Sequence, residues 1–149
     1  MSKNPLVRVT KLLLDFMFFV GIAVCIVVPL IFKFAGKYYS IFEKYYLPFC
    51  ILYMIAGIFA LIILWELRKM FRSVMQENPF VTGNVISLKR MGVCSFIISL
   101  SMLLRLAFII TVAELILVLV FLIAGLFSAV LSMVFDRAVT YKEENDLTI

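Results

Sequence analysis

Three charged side chains stand inside long apolar stretches of this chain: Asp15, Arg105 and Glu114. A charge held in hydrocarbon is costly, so each demands a partner, a polar cavity or a route to the headgroups. Asp15 follows Lys11 by one helical turn, and either Lys11 or a basic residue from elsewhere in the chain would serve it. Arg105 has three solutions: reaching out to the headgroups, facing the other helices, or pairing with Glu114 across a turn. Intramembrane charges also mark ion and substrate paths, which keeps a transport role open.

Other chemistry is poorly provided for. The 149 residues include no histidine. Cys25, Cys50 and Cys94 form no C-x-x-C pair, so neither a redox dithiol nor a zinc site is signalled. They read as small apolar packing residues. There is no clustered acid pair, no nucleophile beside a base and no glycine-rich phosphate loop. The expectation is a protein that is not an enzyme, with no catalytic residue, no metal and no cofactor.

The remaining polar residues gather in two places. Residues 66–92, ELRKMFRSVMQENPFVTGNVISLKRMG, interrupt the apolar sequence with five cations (Arg68, Lys69, Arg72, Lys89, Arg90) and two acids (Glu66, Glu77). Leu67, Met70, Phe71 and Val74 recur at i, i+3, i+4 and i+7, the stripe of an amphipathic helix lying in an interface. Glu66 can pair with Lys69 at i+3. Asn78-Pro79 stops that helix, because the residue before proline is pushed out of helical geometry. Thr82 is a fair N-cap for a helix opening at Gly83. The second place is the tail from Asp136, with two basic and four acidic residues. The elbow is therefore +3 and the tail −2. Opposite charge suggests that they dock on each other or on a soluble partner. The candidate docking residues are Asn78, Pro79, Phe80, Asn84, Lys89 and Arg90 of the elbow, with Glu143, Glu144 and Asp146 of the tail.

A lipid-solvated scaffold must position these groups. Hydrophobic residues make up 65% of the chain, against about 45–50% in a soluble domain. Too little polar surface remains to cover such a chain in water. The net charge of +5 fits basic residues flanking membrane spans. Nowhere do cations alternate with exposed aromatics as on a nucleic-acid platform, so no direct nucleic-acid binding is expected. Residues 12–34 form an apolar run of about 34 Å as a helix, enough to cross a hydrocarbon core of about 30 Å. Further spans are read at 47–65, 91–110 and 115–135. The last two follow because Met91–Phe135 is too long for one crossing and must fold back, near Thr111–Glu114. Pro29 lies in the outer part of the first span, where it can kink the helix. Pro48 opens the second, where its missing N–H costs nothing. Gly36–Tyr46 between them holds Tyr38, Phe42, Tyr45 and Tyr46, the pattern of a half-buried interfacial helix, and Trp65 marks the opposite boundary. Small residues step by four at Ala56/Ala60, Ser95/Ser99, Ala124/Ser128/Ser132 and Gly125/Ala129, as helix contacts in lipid require.

Ten basic residues fall at the amino end, the elbow and the tail, against Lys33, Lys37, Lys44 and Arg105 on the other side. The positive-inside bias then puts both termini and the elbow in the cytoplasm. The expected architecture is all-α and occupies 1–149 as one multi-pass domain of the cell membrane. It is an integral membrane four-helix bundle, two helical hairpins joined by a cytoplasmic amphipathic elbow, both termini inside.

Two stretches also carry a resemblance. Asn78-Pro79-Phe80, then Asn84, then Leu88-Lys89-Arg90-Met91-Gly92 is similar to a family pattern NPF…N…L-R/K-R-I-G. Phe135 followed by Lys142-Glu143-Glu144-Asn145-Asp146-Leu147-Thr148-Ile149 is similar to that family's terminal F…KEENDLTI. The chain thus resembles the small four-helix bacterial membrane proteins of domain-of-unknown-function family 2975. Gly83 departs from the pattern, which has an acidic helix-opening residue there, and Arg105 is not part of it. The resemblance implies a bacterial integral membrane protein without an assigned activity. It also implies a cytoplasmic transcription regulator of the helix-turn-helix type as partner, since such regulators are often encoded beside members. The expected function is non-enzymatic binding or regulation that holds such a partner. The alternative is a small transporter or channel subunit, which would suit a homo-oligomer.

Overall fold

The computed structural model describes residues 4–147. Lys3, counted above among the amino-end cations, and Thr148 and Ile149 of the terminal motif lie outside the described residues. The chain forms α1 (Pro5–Ala35), α2 (Ser40–Lys44), α3 (Tyr46–Met75), α4 (Thr82–Leu106) and α5 (Val112–Leu147). The long helices α1, α3, α4 and α5 are each long and apolar enough to cross a membrane. The protein is a multi-pass, all-α membrane protein.

Local sequence explains most of the helix ends. Asn4 caps α1, its side-chain oxygen accepting from the Leu6 N–H at 3.0 Å, and Pro5 fills the first position. The helix continues through Pro29, whose carbonyl accepts a hydrogen bond from the Tyr46 hydroxyl at 3.1 Å. The interfacial helix expected between the first two spans is α2, with Phe42 stacked on Phe32 and edge-on to Phe49.

The end of α3 differs from the expectation. The helix stops at Met75, ahead of Asn78-Pro79. The Glu77 N–H donates to the Val74 carbonyl and the Asn78 N–H to the Ser73 carbonyl, both at 3.0 Å. Glu77 itself takes φ 60°. This is the Schellman arrangement, with a glutamate where glycine is usual. The proline is therefore a second barrier behind a stop already made. Glu77→Gly should relieve the left-handed strain and raise stability by about 1 kcal/mol, read from the unfolding midpoint in mild detergent. An unchanged or lowered midpoint would count against strain at this residue. Thr82 is likewise not the cap of α4. It is the first helical residue, the extended Val81 stands at the cap position, and no side chain caps that end.

The turn between the last two helices is also displaced from the expected Thr111–Glu114. α4 ends at Leu106, residues 107–111 are non-helical, and Glu114 already lies in the first turn of α5. The cause is a cap: Thr111 Oγ1 accepts from the Glu114 N–H at 3.3 Å. Thr111-Val-Ala-Glu114 has the S/T-x-x-E spacing that marks a helix start.

The helices do not close into the four-helix bundle expected. They lie in series, α1 on α3, α3 on α4 and α4 on α5, and no backbone approach within 8 Å joins α1 to α4 or α5. Lipid tails are as apolar as the helix faces, so closing the row would gain no hydrophobic free energy. Association then depends on close packing at particular seams. Gly57 admits the Cys25 sulfur at the α1–α3 seam, and a Cβ built on Gly92 would stand 3.3 Å from the Gly125 carbonyl oxygen of α5.

Polarity follows burial more closely than position in the row, since α3 also has neighbours on two sides but is little buried. α4 has protein on two sides and is the least apolar of the four, with mean hydropathy 1.5 against 2.6–2.9. It buries Ser87, Ser95, Ser99, Ser101, Asn84 and Arg105. Ser99 donates to the Val118 carbonyl at 2.9 Å. Ser128, Ser132 and Gly125 of the expected α5 stripe are buried too, whereas α1 has no buried residue.

Candidate functional site

At the end of the molecule away from the elbow, Arg105 and Glu114 form an ion pair of 2.6 Å between Nη1 and Oε1. Only 8% and 6% of their side chains are exposed, so this is an interior pair. The Tyr53 hydroxyl donates to the same carboxylate oxygen. The guanidinium carbon also lies 4.7 Å from the Phe49 ring centre and 4.8 Å from that of Tyr53. Of the three solutions open to Arg105, two are combined: it faces α3 and pairs with Glu114 across the turn, rather than reaching out to the headgroups. The geometry follows from the elements. Phe49 and Tyr53 are one turn apart on α3, Arg105 is in the last turn of α4, and the Thr111 cap fixes Glu114 in the first turn of α5. Phe108 closes the cluster against Tyr45 and Phe49. The contact is single rather than a two-pronged fork, since Arg105 Nε and Glu114 Oε2 have no hydrogen-bond partner among the described residues. Its chemical capacity is to tie three helices together across a turn.

Asp15 and Arg68 form the pair at the elbow end, Nε to Oδ1 at 2.8 Å. The partner of Asp15 is thus an elbow arginine and not Lys11. Arg68 also lies over Phe18, Phe19 and Trp65, with the guanidinium 4.8–5.7 Å from the ring centres. Along α3, position 68 is fifteen residues from Tyr53, about 22 Å at the helical rise. The two intramembrane charge centres are therefore well separated.

Glu66 is more deeply placed than an i,i+3 surface pair would suggest. It is 3% exposed at the α3–α4 seam. Lys69 donates to Oε1 at 3.4 Å and stands 3.3 Å from Oε2, and Arg90 reaches Oε1 from α4 at 3.4 Å. The Arg90 contact and the places of Phe49 and Tyr53 go beyond what the sequence suggested. The Phe49/Tyr53 spacing, an aromatic pair one turn apart, was the signal available for the last two.

The elbow and tail touch, though not through opposite charges. Phe80 packs on Phe135 with ring centres 5.3 Å apart, and Lys142 Nζ donates to Asn78 Oδ1. Phe80, Val81 and Thr82 then face Val139, Lys142, Glu143 and Asp146 across a shallow cleft. Asn84 has a different place: it is buried, and its amide nitrogen donates to Ser73 Oγ at 2.7 Å and to the Pro79 carbonyl at 2.6 Å. It ties the start of α4 to the end of α3 and to the elbow between them. Lys89 is exposed, and Arg90 is committed to Glu66. Glu143, Glu144 and Asp146 are exposed and make no ion pair with the elbow among the described residues. Among the described residues, no group of three or more acidic, histidine or cysteine side chains could hold a metal.

Comparison with known proteins adds one result. A family model described as Protein of unknown function (DUF2975) matches residues 30–149. The chain belongs to that family. The match begins within α1, so most of that helix lies ahead of it, and it includes both motifs that meet at the elbow. No curated protein and no solved structure matches.

Proposed function

We propose that this DUF2975-family chain is a non-enzymatic regulatory membrane protein whose elbow and tail together hold a soluble cytoplasmic partner. The observation that carries this reading is the meeting of two distant segments. Asn78-Pro79-Phe80 and Phe135…Lys142, more than fifty residues apart, contact each other through a ring pair and an amide–ammonium bond. Membrane spans do not require that contact, and it produces one surface from two segments. The elbow end carries most of the cations, so the positive-inside bias places it and both termini in the cytoplasm. The exposed acids Glu143, Glu144 and Asp146 are left to face outward from that surface. They suit a partner with a basic face, as a helix-turn-helix DNA-binding regulator has.

The transporter alternative rests on the intramembrane charges Asp15 and Arg105. Asp15 and Arg105 each have an opposite charge in contact and stand beside opposite ends of α3, which gives that alternative less support than the regulatory reading.

A photo-crosslinking residue placed at Glu144 in living cells should capture a DNA-binding protein, whereas one at Lys37 should not. Phe80→Ala should lower the yield of that adduct by about tenfold, as expected for an aromatic anchor. Adducts at Glu144 with lipid alone, or a yield indifferent to Phe80, would sink the proposal.

A further inference from the structure

The geometry points to a binding site for the phosphate of an anionic lipid headgroup in the cleft between α1 and the end of α3. The cleft has a volume of about 330 Å³ and is lined by Lys11, Asp15, Arg68, Arg72 and Gln76. That lies at the lower end of the range for small-ligand sites, roughly 300–1,000 Å³. Three cations line it against one carboxylate. Asp15 is already engaged by Arg68, which fixes that guanidinium in place together with the rings of Phe18, Phe19 and Trp65. Lys11 and Arg72 make no ion pair among the described residues, and both are exposed.

Such an arrangement is pre-set for an anion. One cation is held rigid, two more flank it uncompensated, and the Gln76 amide can donate a hydrogen bond. The carbonyl end of α3 does not oppose this, because the carbonyls of Arg72, Ser73 and Val74 accept from the backbone N–H groups that follow them. Leu14, Phe71 and Met75 provide apolar walls beside the charges. A free phosphate has no use for those walls. A phospholipid has, because its glycerol and acyl chains leave the phosphate on that side. The cleft also stands where a headgroup would be, with Trp65 and the cations of the amphipathic stretch at the same end of α3.

The site can be tested on the full chain in detergent, which reads the cleft without reference to topology or to the soluble partner. Binding of phosphatidylglycerol, phosphatidylcholine and inorganic phosphate would be measured by native mass spectrometry and by thermal shift. The wild type should bind phosphatidylglycerol well above the other two. Lys11→Gln with Arg72→Gln should weaken that binding by about twentyfold, the loss expected of two cations beside an anionic headgroup. Lys37→Gln, which removes one charge at the other end of the molecule, should leave it unchanged. Because Arg72 also borders the cleft between α3 and α4, the single variant Lys11→Gln assigns the effect to this cleft. Equal lipid binding by the wild type and the double variant would overturn the proposal. So would inorganic phosphate binding as tightly as phosphatidylglycerol, or no loss in Lys11→Gln.

Discussion

Glu114→Gln is expected to destabilise the protein by about 3–5 kcal/mol, the usual cost of leaving one member of a buried pair without its partner. Among the described residues Arg105 has no other carboxylate partner, and its side chain is 8% exposed, so water cannot replace the lost charge. The rings of Phe49 and Tyr53 remain beside it, but those contacts are already present in the wild type and so offset none of the loss. Arg105→Met should cost less. A carboxyl left alone can take up a proton and stay bonded to Tyr53, whereas a guanidinium cannot lose one. The double variant Arg105→Met with Glu114→Gln should lie nearer to the wild type than Glu114→Gln alone. Unfolding in mixed micelles would give all four corners of this cycle. Strictly additive single effects would show that the pair is not coupled, and the account of the site would fail.

The same pair shows what the sequence could and could not tell. Arg105 and Glu114 were both visible as charges in an apolar stretch, and pairing across the turn was one of three open solutions. Choosing among them needed the rotation of α4 about its axis and the start of α5. The second was in fact written in Thr111-Val-Ala-Glu114, a cap signature within a stretch lacking glycine, proline and asparagine. The number of long apolar helices followed from run length alone, because each run had to match a hydrocarbon thickness. Their arrangement in a row did not follow. Asp15 marks one protein-facing side of α1, but nothing in the sequence records how many other helices that span meets, so α1 reads the same in a bundle as at the edge of a row. Glu66 does pair with Lys69 at i+3, as its spacing suggests, but its burial is made by α4 crossing at Arg90, which no local spacing records. Charge summed over the elbow and tail suggested their proximity, yet the contact uses Phe80, Phe135, Asn78 and Lys142. Net charge acts at long range and does not select the side chains that finally touch.

Asn84→Ala tests whether the elbow is a built element or a slack connection. The Asn84 side chain is almost wholly enclosed, and its amide supplies both the Ser73 hydroxyl and the Pro79 carbonyl. Alanine removes the donor and leaves those two acceptors, for a cost of about 2 kcal/mol. A stability loss of that size would be ordinary for a buried amide. The distinguishing result is where it appears. Asn84 joins Ser73 near the end of α3 to Pro79, the residue directly after the Schellman turn. Its loss should therefore free 76–81 locally, and amide exchange should speed up in this stretch more than at the α4–α5 seam around Gly92 and Gly125. Phe80 would then lose its fixed seat on Phe135, and the composite surface would come apart with the membrane helices intact. A partner adduct from Glu144 should fall in parallel. Uniformly raised exchange across the chain would mean that Asn84 supports the whole fold. Unchanged exchange in the elbow would mean that the two hydrogen bonds do not set its shape, and the elbow could no longer be treated as a preformed half of the docking surface.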